Sequence, residues 1–402
     1  MAGLLPVDEA LARLLHGAVP LPAETVALAE AGGRVLAAEL HALRTQPPFD
    51  ASAMDGYAVR AHDIAQVPAR LRVVGASIAG KRFEGTVGAG EAVRIFTGAP
   101  VPPGADAILL QEDAERLDED TVEALEAVPT GRHIRRAGLD FSQGDLVLAA
   151  GRALDAAALS LAAAANHPRL DVVRRPLVAI LATGSELVAP GAEPGPDQIV
   201  ASNGYGVAAL CREAGAKVLD LGIVPDDRKA MADAVRRAQD AGADVLVTLG
   251  GASVGDHDLV HEVLTGLGMV PDFWKIAMRP GKPLMFGRLG DMRFLGLPGN
   301  PVSGLVCTHL FVKPLVARLA GHPHAPELHD AVLGAAMRAN DHRQDYVRAR
   351  VTTDNGRLVA TSFDTQDSSM LRTLAAANAL IVRPPHAPAA QAGDACSVLM
   401  LR

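Results

Sequence analysis

Only three cysteines occur in 402 residues, Cys211, Cys307 and Cys396, widely spaced and with no CxxC among them. That excludes a disulfide framework and a thiolate-held metal, and it fits a reducing compartment. Aromatic residues are scarce at 3% while hydrophobic residues reach 49%, so the cores must be packed from Ala, Leu and Val. Positive charge is in deficit: a formal net charge of −8 argues against a general nucleic-acid binder, which needs a broad basic face. Uninterrupted apolar runs are short, and stretches such as Ala156 to Ala165, with Ser160 inside, fall far below a membrane span. The opening MAGLLPVDEALARLL has no basic segment ahead of an apolar one and is not read as a signal peptide. No fixed-period repeat or low-complexity tail is present. A cytoplasmic, soluble protein of about two to four domains is expected.

Against this acidic background, Trp274 to Ser303 concentrates cations. Lys275, Arg279 and Lys282 precede two apolar runs, LMFGRL at 284–289 and RFLGL at 293–297, which read as adjacent strands. GLPGNPVSG then bends the chain into an apolar helix running to about Leu319. Free N–H groups at that helix start, near Ser303, would add partial positive charge to the neighbouring side chains, and a phosphate or other oxyanion is the expected guest.

Helical spacing over residues 7–17 and 24–40 predicts two helices, broken near Pro20 and Pro22. From Gln46 the chain becomes turn-rich, and short runs such as LRVVG and EAVRIFTGAP predict a small β domain ending near residues 131–140. An Ala-rich helix from about Asp155 to Asn166 suggests that the β unit is inserted into a helical domain. From Arg175, the runs PLVAILATG, KVLDLGIV and DVLVTLGG alternate with helices at about 202–214 and 226–241, the pattern of βαβ units in a mostly parallel sheet covered on both faces. Ligands of such sheets bind beyond the carboxyl ends of the strands, where ATGSEL, VPDD, GGASVGDHD and PGNP fall. After His324 the chain turns β-like: DYVRARVTT and RLVATSF flank the hairpin signal Asp354-Asn355-Gly356, and NALIVRP and CSVLMLR add strands.

GGASVGDHD, residues 250–258, follows a strand and precedes a helix, so Gly250, Gly251 and Gly255 allow close backbone approach while Ser253 and the loop N–H groups can bind phosphate. Its spacing fits neither a dinucleotide fingerprint nor a Walker loop. One of Asp256 and Asp258 is expected to cap the following helix, the other to hold Mg²⁺ beside a phosphate. His257 and His261 imitate a zinc hydrolase pair, but the acid between them is Asp and no third ligand follows, so they are read as solvated helix histidines. Asp55, Asp140, Glu186 and Asp226 each read singly as turn or cap residues; together they supply oxygen ligands for Mg²⁺ and a carboxylate to orient water. Thr97 offers a hydroxyl to an anion or to a turn cap. No G-x-S-x-G elbow supports a serine hydrolase.

SAMDGYA, FTGAPVPPGAD, ILATGSEL, LGGASVGDHD, WKIAMRPGKP and GLPGNPVSG occur in the order of the molybdopterin molybdenumtransferase family, and the chain resembles those bacterial enzymes, similar to the E domain of gephyrin, over almost its whole length. The resemblance implies a multidomain α/β and β fold: a helical domain (1–45 and 142–172) with a β insertion (46–141), a central doubly wound α/β domain similar to pterin adenylyltransferases (173–325) and a C-terminal β barrel (326–402). It also implies a homodimer with its active site between subunits, and a place beside the pterin adenylyltransferase and molybdoenzyme maturation proteins. The implied substrates are molybdate and adenylylated molybdopterin, with Mg²⁺ as cofactor. On matching motifs, Asp226 and Asp258 fall in the metal and phosphate region and Glu186 near the pterin nucleotide, bound by Gly250, Gly251, Ser253, Gly255 and Asp256. Asp55, Thr97 and Asp140 would come from the partner's insertion, and Lys275 and Arg279 join the catalytic set. Arg279, Lys282, Pro283, Ser303, Arg348 and Ser368 would surround molybdate and the terminal phosphate. Arg279 stands where some members have Lys, exchanging a point donor for a fork. QDSSMLRTL at 366–374 departs from the Gly-rich, Ser-rich form of the family, leaving Ser368 and Ser369 as alternatives.

Overall fold

The computed structural model describes residues 4–250, 259–323 and 328–401. The chain divides into two units, one made of residues 1–24, 33–35 and 172–402, the other of residues 25–32 and 36–171.

In the larger unit the first helix, Val7–Leu15 (α1), buries Ala10 and Leu14 in the main apolar cluster. Strand Leu177–Thr183 (β1) sends Val178 and Ile180 into that cluster and Ala179 and Leu181 into a second one, the alternation of a strand buried on both faces. Then follow Asn203–Glu213 (α2), Lys217–Val224 (β2), Arg228–Asp240 (α3), Val245–Leu249 (β3), Leu259–Gly266 (α4), Val270–Lys275 (β4), Pro283–Leu289 (β5), Met292–Leu297 (β6) and the helix Pro301–Leu319 (α5). The sheet order is β2-β1-β3-β6-β5-β4. β1 runs parallel to β2 and β3, and β3 to β6, whereas β5 pairs antiparallel with both β6 and β4. Side chains of α1, α2 and α5 join the cluster on one face, and those of α3 and α4 the cluster on the other, which makes the unit doubly wound. The sheet is mixed because Gly290, at φ +62°, turns β5 straight back into β6. Although α5 has the length and apolarity of a membrane span, 78% of it is buried, so it is a core helix.

The C-terminal part of this unit is a barrel. Leu328–Leu333 (β7), Gln344–Asp354 (β8), Arg357–Ser362 (β9), Ala379–Arg383 (β10) and Ala395–Met400 (β11) close in the order β8-β9-β7-β11-β10-β8 around Leu333, Val351, Ala360, Ile381 and Val398. The expected hairpin is present, with β8 and β9 joined at Asn355-Gly356. A short helix, Leu371–Ala376, precedes β10.

The smaller unit contains a six-stranded sheet in the order Ala107–Leu110, Gly56–Val59, Glu91–Ile95, Ala69–Ser77, Thr121–Ala124, Ala114–Arg116. Its α-helix, Ala156–Ala164, starts where expected, with Asp155 Oδ1 accepting from Ala158 N at 2.8 Å. The helix expected over residues 24–40 is absent. Strand Ala23–Ala27 and a 3₁₀ turn, Leu28–Glu30, stand in its place. β-branched Thr25 and Val26 suit a strand, and Gly33, at φ +69°, ends any helical run that the Ala and Leu residues would favour.

Candidate active site

Loops at the carboxyl ends of the four parallel strands meet in a cleft of about 800 Å³. β1 delivers Thr183, Gly184 and Glu186, β2 Asp226, β3 Leu249 and Gly250, and β6 the turn Pro298 to Pro301. Residues 199–204, Pro283, Ser369 and Leu371 complete the wall. Gly250 sits at φ +93°, and a Cβ there would lie 2.6 Å from the carbonyl oxygen of Thr183. Only glycine lets the β1 and β3 loops approach this closely.

The sequence Pro225-Asp226-Asp227 divides two roles between its carboxylates. Asp227 caps α3, its Oδ1 accepting from Ala230 N at 2.8 Å. Asp226 is thereby left to the cleft, where Ser185 N donates to its Oδ2 and its own N–H donates to Ser185 Oγ, both at 3.1 Å. Glu186, on the same β1 loop, folds its carboxylate back over Gly184: a Cβ on Gly184 would stand 2.3 Å from Glu186 Oε2. Both carboxylates are exposed and face one cleft.

Two asparagines tie the opposite wall together. Asn203 Nδ2 donates to Gly299 O at 2.7 Å, and Asn300 Nδ2 to Ser368 Oγ at 2.9 Å. Val302 N donates to Ser368 O at 3.0 Å, and Pro301 has no N–H, so the first amide of α5 meets residues 366–371 and not solvent. The open amide array expected near Ser303 is correspondingly smaller, and Ser303 itself is 5% exposed. Ser369 lines the cleft, whereas the hydroxyl and carbonyl of Ser368 are both bound to the helix start.

The cations are distributed differently from the expected ring. Lys275 and Lys282 are exposed, and neither makes a side-chain hydrogen bond among the described residues. Arg279 is committed to Asp345: Nε donates to Oδ1 at 2.8 Å, Nη2 pairs with Oδ2, and Asp341 stands 3.5 Å from Nη1. The bond to Asp345 raises the Arg279 pKa. Arg348 is 1% exposed and binds Gln366 and the carbonyl of Asp367, and desolvation lowers its pKa. Among the predicted residues, the cleft wall thus gathers Glu186, Asp226, Gly250 and Pro283, while Lys275, Arg279, Lys282, Ser303, Arg348 and Ser368 are outside it.

In the smaller unit Asp55 and Thr97 are in contact: Asp55 Oδ1 accepts from Thr97 N at 2.7 Å and from Thr97 Oγ1 at 2.8 Å, which lowers the Asp55 pKa. Asp140 is exposed, its N–H bonded to Gln46 O at 3.1 Å. Gly251, Ser253, Gly255, Asp256, His257 and Asp258 lie outside the described residues. His261 is not simply solvated: it stacks on Trp274 with centroids 4.7 Å apart. Sequence reasoning passed over Ser185 and Asn203 near the cleft and over the side chain of Asn300, and of the alternatives Ser368 and Ser369 it is Ser369 that lines the cleft. The signal for Asn300 was its place ahead of Pro301, an N-cap whose side chain is left free for other bonds.

Three family profiles cover most of the chain: the MoeA N-terminal region (domain I and II) over residues 5–166, a probable molybdopterin binding domain over 179–318, and the MoeA C-terminal region (domain IV) over 330–401. The molybdopterin molybdenumtransferase of Haemophilus influenzae is 35% identical over 400 residues, 98% of each chain. The chain belongs to the molybdopterin molybdenumtransferase family. A Bacillus subtilis enzyme of the same name is 36% identical over 407 residues, covering 99% of this chain and 94% of its own. A solved Pyrococcus horikosii structure, described as a molybdopterin biosynthesis MoeA protein, matches 100% of both chains with a TM-score of 0.84 at 28% identity. Family membership makes the chain an enzyme of molybdenum cofactor biosynthesis, and the cleft lies within the segment matched by the molybdopterin binding profile.

Proposed function

We propose that the protein inserts molybdenum from molybdate into adenylylated molybdopterin and hydrolyses the pterin–AMP anhydride, giving molybdenum cofactor and AMP. The observation that carries this reading is the placement of Asp226 and Glu186, on two β-strand loops of one cleft whose wall also carries the side-chain amides of Asn203 and Asn300. An anhydride needs carboxylates on the side of the metal and water, and neutral donors for its phosphate oxygens. The apolar edge at Ile199 and Val200 suits the pterin ring.

Mg²⁺ fits this chemistry. The described residues hold no group of three potential metal ligands, but Mg²⁺ keeps several waters and takes one or two protein carboxylates beside substrate phosphates. Asp226 would supply one, with Asp258 as the second. The bound ion would neutralise charge on the anhydride. Asp226 is held by Ser185 through two bonds, so its carboxylate needs little reorganisation to bind. Lys275 and Lys282, unpaired among the described residues, are the cations available to molybdate, with Arg279 the third if it exchanges Asp345 for the anion. Asp55, pre-set by Thr97, and Asp140 complete the site from the partner of a homodimer, in a cytoplasmic pathway shared with the pterin adenylyltransferase and molybdoenzyme maturation proteins.

Purified dimer incubated with adenylylated molybdopterin is expected to release AMP only when molybdate is present. Folded protein that releases none, or releases it equally without molybdate, overturns the reading. ATP consumption with unmodified molybdopterin would instead indicate the preceding adenylylation step.

A further inference from the structure

Arg348 has an unusual set of partners. It is 1% exposed, yet among the described residues no carboxylate hydrogen-bonds to it. Its Nε donates to Gln366 Oε1 at 3.1 Å and its Nη1 to Asp367 O at 2.9 Å, while Nη2 has no partner among the described residues. Asp367 carries the neighbouring carboxylate, and its Oδ1 is turned to Ser369, accepting from N at 2.8 Å and Oγ at 2.6 Å. The Asp367 carboxylate and Arg348 therefore interact only through space, as opposite charges, while the hydrogen bonds of the guanidinium go to neutral oxygens and leave it free to bond an incoming anion. Arg279, paired with Asp345, is not free in this way.

Gln366 uses every hydrogen-bonding group it has to create this state. Oε1 accepts from Arg348 N at 3.0 Å as well as from Nε, and Nε2 donates to Arg348 O at 3.0 Å and to Phe363 O at 2.9 Å. One neutral side chain thereby fixes both the backbone and the guanidinium plane of Arg348. The same segment continues into Ser368, bound to Asn300, and Ser369 in the cleft wall.

We propose that Gln366 is a positioning residue that holds the Arg348 guanidinium, bonded to neutral oxygens and with Nη2 unpartnered among the described residues, for an oxyanion beside the segment that carries Ser369 into the cleft wall. This rests on the molybdate reading above. Positioning depends on both polar groups of the amide: a glutamate in its place would accept the same two bonds but lose the Nε2 donations to Arg348 O and Phe363 O and add a negative charge.

The test compares wild type with Gln366→Glu and the near-isosteric, apolar Gln366→Met. Molybdate affinity is measured calorimetrically without pterin nucleotide, and AMP release is measured against molybdate concentration. Both variants are expected to raise the molybdate Kd and KM roughly tenfold, the scale of one hydrogen bond to a charged group, with kcat at saturating molybdate within about twofold of wild type. Unchanged Kd and KM in both variants overturn the proposal, as does a change confined to Gln366→Glu, which would reflect added charge and not positioning. A lowered melting temperature with unchanged molybdate Kd shows a merely structural residue and also overturns it. Wild type that binds molybdate but releases no AMP would instead remove the molybdenum-insertion reading, leaving the anion-positioning comparison intact.

Discussion

The pairing of Arg279 with Asp345 decides whether this arginine serves the fold or the substrate, and a double-mutant cycle can measure it. Asp345 retains 12% side-chain exposure and Arg279 48%, so the pair is neither fully solvated nor fully buried. Exposed ion pairs contribute about 0.2–1 kcal/mol, whereas hydrogen bonds to charged groups contribute about 1.5–3 kcal/mol. Two-point contact by a planar fork, discounted for the open side of the arginine, places the coupling at about 1–2 kcal/mol. Arg279→Ala, Asp345→Ala and the double variant should therefore be non-additive by that amount in denaturant unfolding. Arg279→Ala alone should be the most damaging of the three, because it strands the mostly buried Asp345 carboxylate. The functional half of the cycle compares Arg279→Ala with Lys282→Ala in molybdate-dependent AMP release. Lys282 has no competing carboxylate among the described residues, so its loss should raise the KM for molybdate several-fold more than the loss of Arg279, and pterin nucleotide binding should change little. Coupling below about 0.5 kcal/mol, the error of such cycles, together with a larger molybdate defect for Arg279→Ala, would refute the assignment of Arg279 to the barrel.

Two further outcomes follow from single side chains. Gly250→Ala should lower stability by about 2–4 kcal/mol and abolish AMP release, because it combines a left-handed backbone cost of about 1–2 kcal/mol with a Cβ driven against Thr183 O, and a melting temperature within 2 °C of wild type would contradict it. His309, inside the π-helical turn of α5, has its pKa pushed down to about 4, first by burial and then by Lys313. It stays neutral in the folded state while the unfolded chain binds a proton below about pH 6.5, so stability should fall as pH drops from about 6.5 to 4, by an amount on the order of 3 kcal/mol. His309→Gln should flatten that part of the stability profile, as followed by thermal unfolding at a series of pH values.

Where burial on both faces forces a continuous apolar run, the strand is visible in the residues themselves, as in Leu177–Thr183 and Val245–Leu249. The barrel hairpin is equally legible because Asn355-Gly356 supplies the turn between two β-rich runs. Residues 24–40 mislead for a physical reason: Ala, Leu and Glu favour helix by composition, but propensity is a weak prior, and the β-branched pair and Gly33 win locally. Leu328–Leu333 lacks a turn signal of its own and finds its partners in β9 and β11, which are distant in sequence. The cleft loops follow from topology, since a parallel sheet delivers its ligand site at the strand ends whatever the substrate. The cations do not follow from it. Sequence spacing places Lys275, Arg279 and Lys282 side by side, but the acceptor that claims Arg279 is 66 residues away, at the start of a barrel strand. Likewise Arg348 and Gln366 are separated by 18 residues, and their three hydrogen bonds exist only because β8 and the segment after β9 are brought alongside each other. A charged residue's role depends on which opposite charge reaches it first, and that is a property of packing. Arg279 and Arg348, alike in the sequence as candidate anion ligands, therefore differ in the fold: one is bonded at two points by the Asp345 carboxylate, and the other is held by the neutral Gln366, with no carboxylate bonded to it among the described residues.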